Sequence, residues 1–209
     1  MSLSDVKLNV NLLVCAQLIP LGFFMDALTL LTSRHSTARL TEPAPAGDVL
    51  ENIKRAAVQV PDHGALRPWR FIIAEGRQAL SKLGDIFAEA AVEDDPAISN
   101  DMLERARQLP LRAPMVIICI AKAIENAKIP LIEQQHSAAC AVMAMQQAAF
   151  AQGFGGIWRT GAYAQLDFVK QALELGEDDE IVGYLYLGTP AGEAPRRNSP
   201  EPDTFFSYL

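Results

Sequence analysis

The stretch Gly153-Phe154-Gly155-Gly156-Ile157-Trp158-Arg159-Thr160-Gly161 follows a long segment that is almost free of charge. That segment, Glu133 to Gln152, has its only charged residue at its start, which is typical of a helix buried on every side. Gly153 is predicted to stop this helix, and Gly156 to Arg159 to be extended. The glycines either mark a helix end that leads into a central strand or let the backbone approach a flat ligand. The stretch alone leaves both interpretations open.

Other strands are predicted on both sides of this stretch. Residues 114–121 are apolar without alternation, which indicates a strand buried on both faces. Residues 69–74 and 180–188 have the aromatic and branched composition of strands. Helices are predicted at residues 26–32, 48–60, 77–92, 96–109 and 167–175. Of these, the first is expected to be capped by Asp26, the second to start with a capping box of Asp48 and Glu51, and the third and fourth to be exposed.

Composition limits the class of protein. The chain has 209 residues, of which 50% are hydrophobic, so it can bury one sizeable core. A net charge of -7 without a basic stripe argues against binding to nucleic acid. The cysteines Cys15, Cys119 and Cys140 are far apart in apolar surroundings, which favours buried thiols in a reducing, cytoplasmic compartment. No spacing of residues resembles a metal site.

Residues 1–24 differ from the rest of the chain. They are apolar but interrupted by polar residues and by Pro20, which argues against a membrane span, and they lack the cleavage site of a signal peptide. We therefore expect two parts, an N-terminal extension of unknown role at 1–24 and one domain at 25–209. Residues 1–24 are interpreted either as a true extension or as the product of an upstream start site.

Three separated motifs carry the polar chemistry. They are Arg34-His35-Ser36-Thr37 after the first helix, a loop from Pro61 to Trp69, and the Gly153–Gly161 stretch. The sequence has no nucleophile elbow, no phosphate loop and no zinc-protease motif, so the chemistry is expected to come from a cofactor. His136, on the uncharged helix, is predicted to be a hydrogen-bonded core histidine.

In their order and spacing, the three motifs resemble the FMN-dependent nitroreductase superfamily, and most closely its short YdjA-like branch of NAD(P)H nitroreductases. The resemblance runs from Met25 to the C-terminus. It implies an α+β fold with a mainly antiparallel sheet flanked by helices, in an intertwined homodimer with FMN at the subunit interface. It also implies an enzyme that passes hydride from NADH or NADPH through FMN to a nitroaromatic, quinone or similar small-molecule acceptor.

The resemblance also implies a set of cofactor-binding residues. The first motif would hold the FMN phosphate and ribityl chain, the loop would reach the FMN of the partner subunit, and the glycine stretch would supply the last contacts. The predicted FMN-binding residues are Arg34, His35, Ser36, Gln59, His63, Trp158, Arg159 and Thr160. The chain departs from larger relatives in offering Asp62 and Ala65 where they have serines and an asparagine, and Ala38 where some have a lysine or arginine.

Other functions stay open at this stage. Relatives on the same scaffold carry out dehydrogenation, dehalogenation or flavin fragmentation, and residues 77–109 are too unspecific to choose among these reactions. If the protein is not an enzyme, the alternative function is that of a flavin-binding carrier or regulatory protein without rapid turnover. No side chain is assigned as a catalytic acid, base or nucleophile, because the hydride chemistry belongs to the flavin. The tail after residue 189, with three aromatic residues near its end, is expected to pack either on a partner subunit or on its own domain.

Overall fold

The computed structural model describes residues 25–125, 128–192 and 200–209. The predicted extension and Cys15 lie outside the described residues. The helices are α1 (Ala27–Ser33), α2 (Gly47–Ala57), α3 (Gly76–Asp94), α4 (Asn100–Gln108), α5 (Leu131–Ala151) and α6 (Asp167–Ala172). The strands are β1 (Leu40–Thr41), β2 (Trp69–Glu75), β3 (Met115–Ala121), β4 (Gly155–Arg159) and β5 (Glu180–Pro190).

The strands form one antiparallel sheet. Its order is β1-β5-β3-β2, and β4 pairs with β5 along the same edge as β1. Every residue of β3 is buried, as the run of apolar residues predicts for a strand between two helical layers. The α+β fold with an antiparallel sheet flanked by helices is therefore confirmed.

Two hydrophobic layers cover the sheet. One face packs against α3 and α6 through side chains that include Leu83, Phe87 and Val169. The other packs against α2 and α5 through Ile53 and Met145, among others. The strand sequence alternates between these layers, so β4 and β5 present residues to both.

Two predictions about the helices need correction. Helix α2 begins at Gly47, and its N-cap Ala46 has no side-chain hydrogen bond, so the capping box at Asp48 and Glu51 is wrong. Helix α3 is not exposed, because seven of its residues are buried against the sheet and α4. The cap at Asp26 is confirmed, since its carboxylate accepts hydrogen bonds from the backbone N–H groups of Leu28 and Thr29 at 3.0 and 3.1 Å.

Helix α5 is buried on one side only. Its buried residues face the sheet and α2, but Ile132, His136 and Cys140 follow one another at helical spacing and are exposed. His136 is thus not a core histidine, and Cys140 is not a buried thiol. Cys119, on β3, is buried, and burial raises the pKa of its thiol well above the ordinary range. The uncharged face of α5 needs a cover that the described part of this chain does not supply.

Gly183 on β5 lies in close contact with β4, and its substitution tests how tightly the two strands pack. A Cβ there would lie 2.2 Å from the Trp158 indole nitrogen and 2.7 Å from the Arg159 carbonyl oxygen, and the residue has φ 154. We expect Gly183→Ala to lower the free energy of unfolding by about 2–3 kcal/mol, through overpacking and backbone strain together. Thermal unfolding followed by circular dichroism measures this change.

The control for this prediction is Gly153→Ala. Gly153 has φ 83 but nothing within 4 Å of its added Cβ, so this variant has the backbone strain without the collision. An equal loss of stability in the two variants would contradict the packing role of Gly183.

Candidate functional site

Two of the three sequence motifs meet at the edge strand β4. Helix α1 ends at Ser33, and the extended residues Arg34 to Thr37 then run beside β4. The Thr37 backbone N–H donates a hydrogen bond of 2.9 Å to the carbonyl oxygen of Gly156. The segment that carries Arg34, His35 and Ser36 is therefore attached to the strand that carries Trp158 and Arg159.

The glycines of β4 make this attachment possible. A Cβ on Gly155 would lie 2.7 Å from Leu40 Cδ2 and 3.0 Å from Thr37 Cβ. The Gly156 carbonyl also accepts a 2.8 Å hydrogen bond from Gln146 Nε2 on α5. Both glycines are buried, so their absent side chains serve contacts within the protein. Gly153, with φ 83 just after α5, is the helix stop that the sequence predicts.

The side chains of the first motif are half-buried. The His35 ring packs edge-on against Phe150 with 5.1 Å between ring centroids, and its Nδ1 lies 3.2 Å from the Ser33 carbonyl oxygen. Within residues 25–125, 128–192 and 200–209, the Arg34 guanidinium has no carboxylate partner. A guanidinium left unpaired in a chain of net charge -7 is available to an external anion.

The predicted residues of the third motif divide into two roles. Trp158 lies over Gly183, and its indole N–H donates a 3.2 Å hydrogen bond to the Val182 carbonyl oxygen, so this side chain holds β4 against β5. Arg159 and Thr160 lie at the exposed end of β4 and line a pocket of about 440 Å³. Trp158 also lines this pocket but is half-buried, whereas Arg159 and Thr160 are exposed.

His63 and His35 are far apart in the same chain, and Gln59 lies just after the end of α2. His63 Nδ1 lies 2.7 Å from Glu133 Oε2 at the start of α5, whereas His35 contacts Phe150 near its end. Because these two positions of α5 are 17 residues apart (150 − 133), they are separated by about 25 Å along the helix axis. One chain therefore does not bring both groups to one ligand.

The loop that presents His63 is held by its own side chains. Asp62 accepts hydrogen bonds from the backbone N–H groups of Leu66 and Arg67, at 3.2 and 2.7 Å. Ala65 and Arg67 both have φ 53, a conformation that these contacts maintain. Just ahead of His63, the Pro61 carbonyl oxygen accepts a 2.6 Å hydrogen bond from Ser137 on α5. Asp62, one of the positions at which this chain differs from larger relatives, thus maintains the conformation of the loop.

Glu133, Arg112 and Tyr186 are not among the residues predicted for the site. Glu133 orients His63 from 70 residues away. Arg112 and Tyr186 line the pocket beside Arg159. Burial raises the pKa of Tyr186, while the nearby charges of Arg112 and Arg159 act in the opposite direction. No local motif marks these residues, because they meet only through the fold.

The profile of the nitroreductase family matches residues 31–189, which include all three motifs. The chain belongs to the nitroreductase family. An Escherichia coli K12 relative named "Putative NAD(P)H nitroreductase YdjA" is 50% identical over 188 residues, which cover 88% of this chain and 100% of the relative. The resemblance of the motifs to the nitroreductase family and its YdjA-like branch is confirmed.

Solved nitroreductase structures share the fold. A nitroreductase-like protein from Bacillus cereus superposes with a TM-score of 0.75 at 18% identity, covering 89% of this chain and 97% of its own. A nitroreductase with bound FMN from Bacteroides fragilis superposes with a TM-score of 0.67 at 17% identity, covering 88% and 99%. In the described part of this nitroreductase-family chain, no helix has the length and apolar composition needed to cross a membrane.

Proposed function

We propose that this chain is an FMN-dependent NAD(P)H oxidoreductase that reduces nitroaromatics, quinones or similar small acceptors. The observation that carries the proposal is the hydrogen bond between Thr37 N–H and Gly156 O, which joins the two motifs that the family resemblance assigns to FMN. Two similarities support the proposal. The chain is 50% identical to a relative named as an NAD(P)H nitroreductase, and its fold is similar to that of a nitroreductase with bound FMN.

The residues of the joined motifs fit a phosphorylated flavin. Arg34 offers a fork of donors that no carboxylate of the described residues occupies, and this fork matches phosphate oxygens in geometry and charge. Ser36, two residues on, adds a hydroxyl. Arg159 and Thr160 offer further donors at the open end of β4. When bound, FMN would supply the hydride chemistry between the nicotinamide and the acceptor. The side chains of this site bind and orient the reactants, and none is needed as a nucleophile.

We further propose that the site is completed by a second copy of the chain. The separation of 17 positions along α5 between Glu133 and Phe150 keeps His63 away from His35, the neighbour of Arg34, within one subunit. A partner subunit would bring its own His63 and Gln59 to the site. Apolar surface that needs a cover supports this homodimer. It comprises the exposed residues Leu28, Leu31, Ile132, Cys140, Phe205, Phe206 and Tyr208.

The cellular location is proposed on chemical grounds. Among the described residues, neither the exposed thiol of Cys140 nor the buried thiol of Cys119 forms a disulfide, as is usual in a reducing compartment. We therefore propose that the protein works in the cytoplasm, where NADH and NADPH are available.

The test of the proposed function is stopped-flow absorbance of the FMN-loaded protein. We expect purified protein to take up FMN, and NADH or NADPH to bleach the visible absorbance of the oxidised flavin before an acceptor restores it. A protein that binds FMN but bleaches slowly would be a carrier or regulator. A protein that takes up no FMN would overturn the proposal.

A further inference from the structure

A pocket of about 440 Å³ opens at the Arg159 end of β4, on the face of the sheet that packs against α3. One wall is aromatic, and of its three rings Tyr163 is half-buried, whereas Phe87 and Tyr184 are buried behind it. The rings of Phe87 and Tyr163 stack with centroids 4.5 Å apart, and Phe87 contacts Tyr184 edge-on at 5.2 Å. The Tyr184 hydroxyl donates a 2.9 Å hydrogen bond to the Tyr163 carbonyl oxygen, which fixes this wall.

The same pocket is positively charged. Arg112 and Arg159 line it, both lie close enough to act on the Tyr186 hydroxyl, and the lining contains no carboxylate. In the part of the chain that the structure describes, neither guanidinium forms an ion pair. Two like charges that line one pocket create a positive potential, which favours an anion between them. The nearest carboxylate that the structure shows acting on the pocket is Asp94, which lies on the side of Tyr163. Arg112 has no part in the FMN assignment, so its position needs another explanation.

We propose that Arg112 and Arg159 form an oxyanion subsite, which binds the carboxylate or phosphate group of an aromatic ligand whose ring packs on the half-buried ring of Tyr163, with Phe87 stacked behind it. The proposal rests on the proposed function, because Arg159 and Thr160 belong to the segment assigned to FMN. Paired guanidinium donors suit an oxyanion, and the aromatic wall suits a planar ring. An acceptor such as a nitroaromatic acid fits both features. The 2′-phosphate of NADPH and the phosphate of FMN present the same anionic chemistry.

The acceptor is tested with a matched pair of substrates. We compare 4-nitrobenzoate with 4-nitrobenzamide, which has the same ring and nitro group but no charge, in the FMN-loaded wild type and in Arg112→Gln. The ratio of their kcat/KM values is expected to fall about tenfold in Arg112→Gln, because a charge-assisted contact is lost at a partly solvated site. Arg112→Lys, which keeps the charge, is expected to recover part of the ratio. Arg105→Gln removes the same charge from the exposed face of α4 and is expected to leave the ratio unchanged.

Two further pairs of compounds test whether the anionic group that binds the subsite is the phosphate of NADPH or of FMN. NADPH is compared with NADH in the bleaching step, and FMN with riboflavin in binding to the flavin-free protein. A selective loss in one pair, present in Arg112→Gln and absent in Arg105→Gln, supports the subsite and identifies its ligand. Equal behaviour of both variants in all three pairs, with unfolding temperatures like the wild type, overturns the proposal.

A binding measurement separates this inference from the proposed function. Isothermal titration calorimetry of 4-nitrobenzoate and 4-nitrobenzamide needs no turnover. If the wild type shows no hydride transfer but binds the acid more tightly than the amide, and Arg112→Gln removes the difference, the subsite stands and the proposed function fails. If turnover is normal and neither compound's binding depends on Arg112, the function stands and the acceptor subsite is overturned.

Discussion

Arg34→Glu is expected to weaken FMN binding by about a hundredfold or more, since the variant loses charge-assisted hydrogen bonds and places a carboxylate against the phosphate. Arg34 is suited to this role because it follows the end of α1 directly, its backbone N–H caps that helix at Leu30 O, and its guanidinium has no carboxylate partner among the described residues. Fluorescence titration of the flavin-free protein with FMN measures the change.

Riboflavin makes the test specific for the phosphate. It has the same ring and ribityl chain without the phosphate, so its affinity should change much less than that of FMN in Arg34→Glu. Arg105→Glu, on exposed α4, is the control for the change in net charge. Equal losses for FMN and riboflavin would mean that Arg34 maintains the end of α1 instead of holding the phosphate.

The fold was predictable where sequence and structure are linked locally. The unbroken apolar run of β3 predicted a strand buried on both faces, and Asp26 predicted the start of α1. Gly153 predicted the end of α5 for the physical reason that the structure shows, a positive φ after the last turn. The order of the three motifs predicted the family, although none of them determined it alone.

The predictions that failed depended on contacts distant in sequence. A charge-free helix face predicts that something covers it, but composition does not say whether the cover is the same chain or another. His136 and Cys140 were therefore assigned to the core and are exposed on α5. Likewise, the contact of Glu133 with His63 and the approach of Arg112 to Arg159 arise from the path of the chain. Gly155 and Gly156, which the sequence suggests as an open backbone for a ligand, mainly leave room for Thr37, Leu40 and Gln146.

Mixed dimers test whether the two halves of the predicted site come from different subunits. One chain carries Arg34→Glu, and the other carries Gln59→Ala together with His63→Ala. If the halves combine across the interface, a heterodimer has one site with both defects and one intact site. We expect it to bind about one FMN with wild-type affinity, against about two for the wild-type dimer, whereas both mutant homodimers bind weakly.

The result follows from the length of α5. Because His63 is fixed to Glu133 and His35 to Phe150, about 25 Å of rigid helix separates the two halves within a subunit, and local rearrangement does not close that distance. Two affinity tags allow the heterodimer to be purified, and flavin absorbance gives its FMN content. If both halves acted within one chain, each chain of the heterodimer would have one defect and no tight site would form. A heterodimer without a tight site would therefore refute the shared arrangement, even if the protein were a dimer.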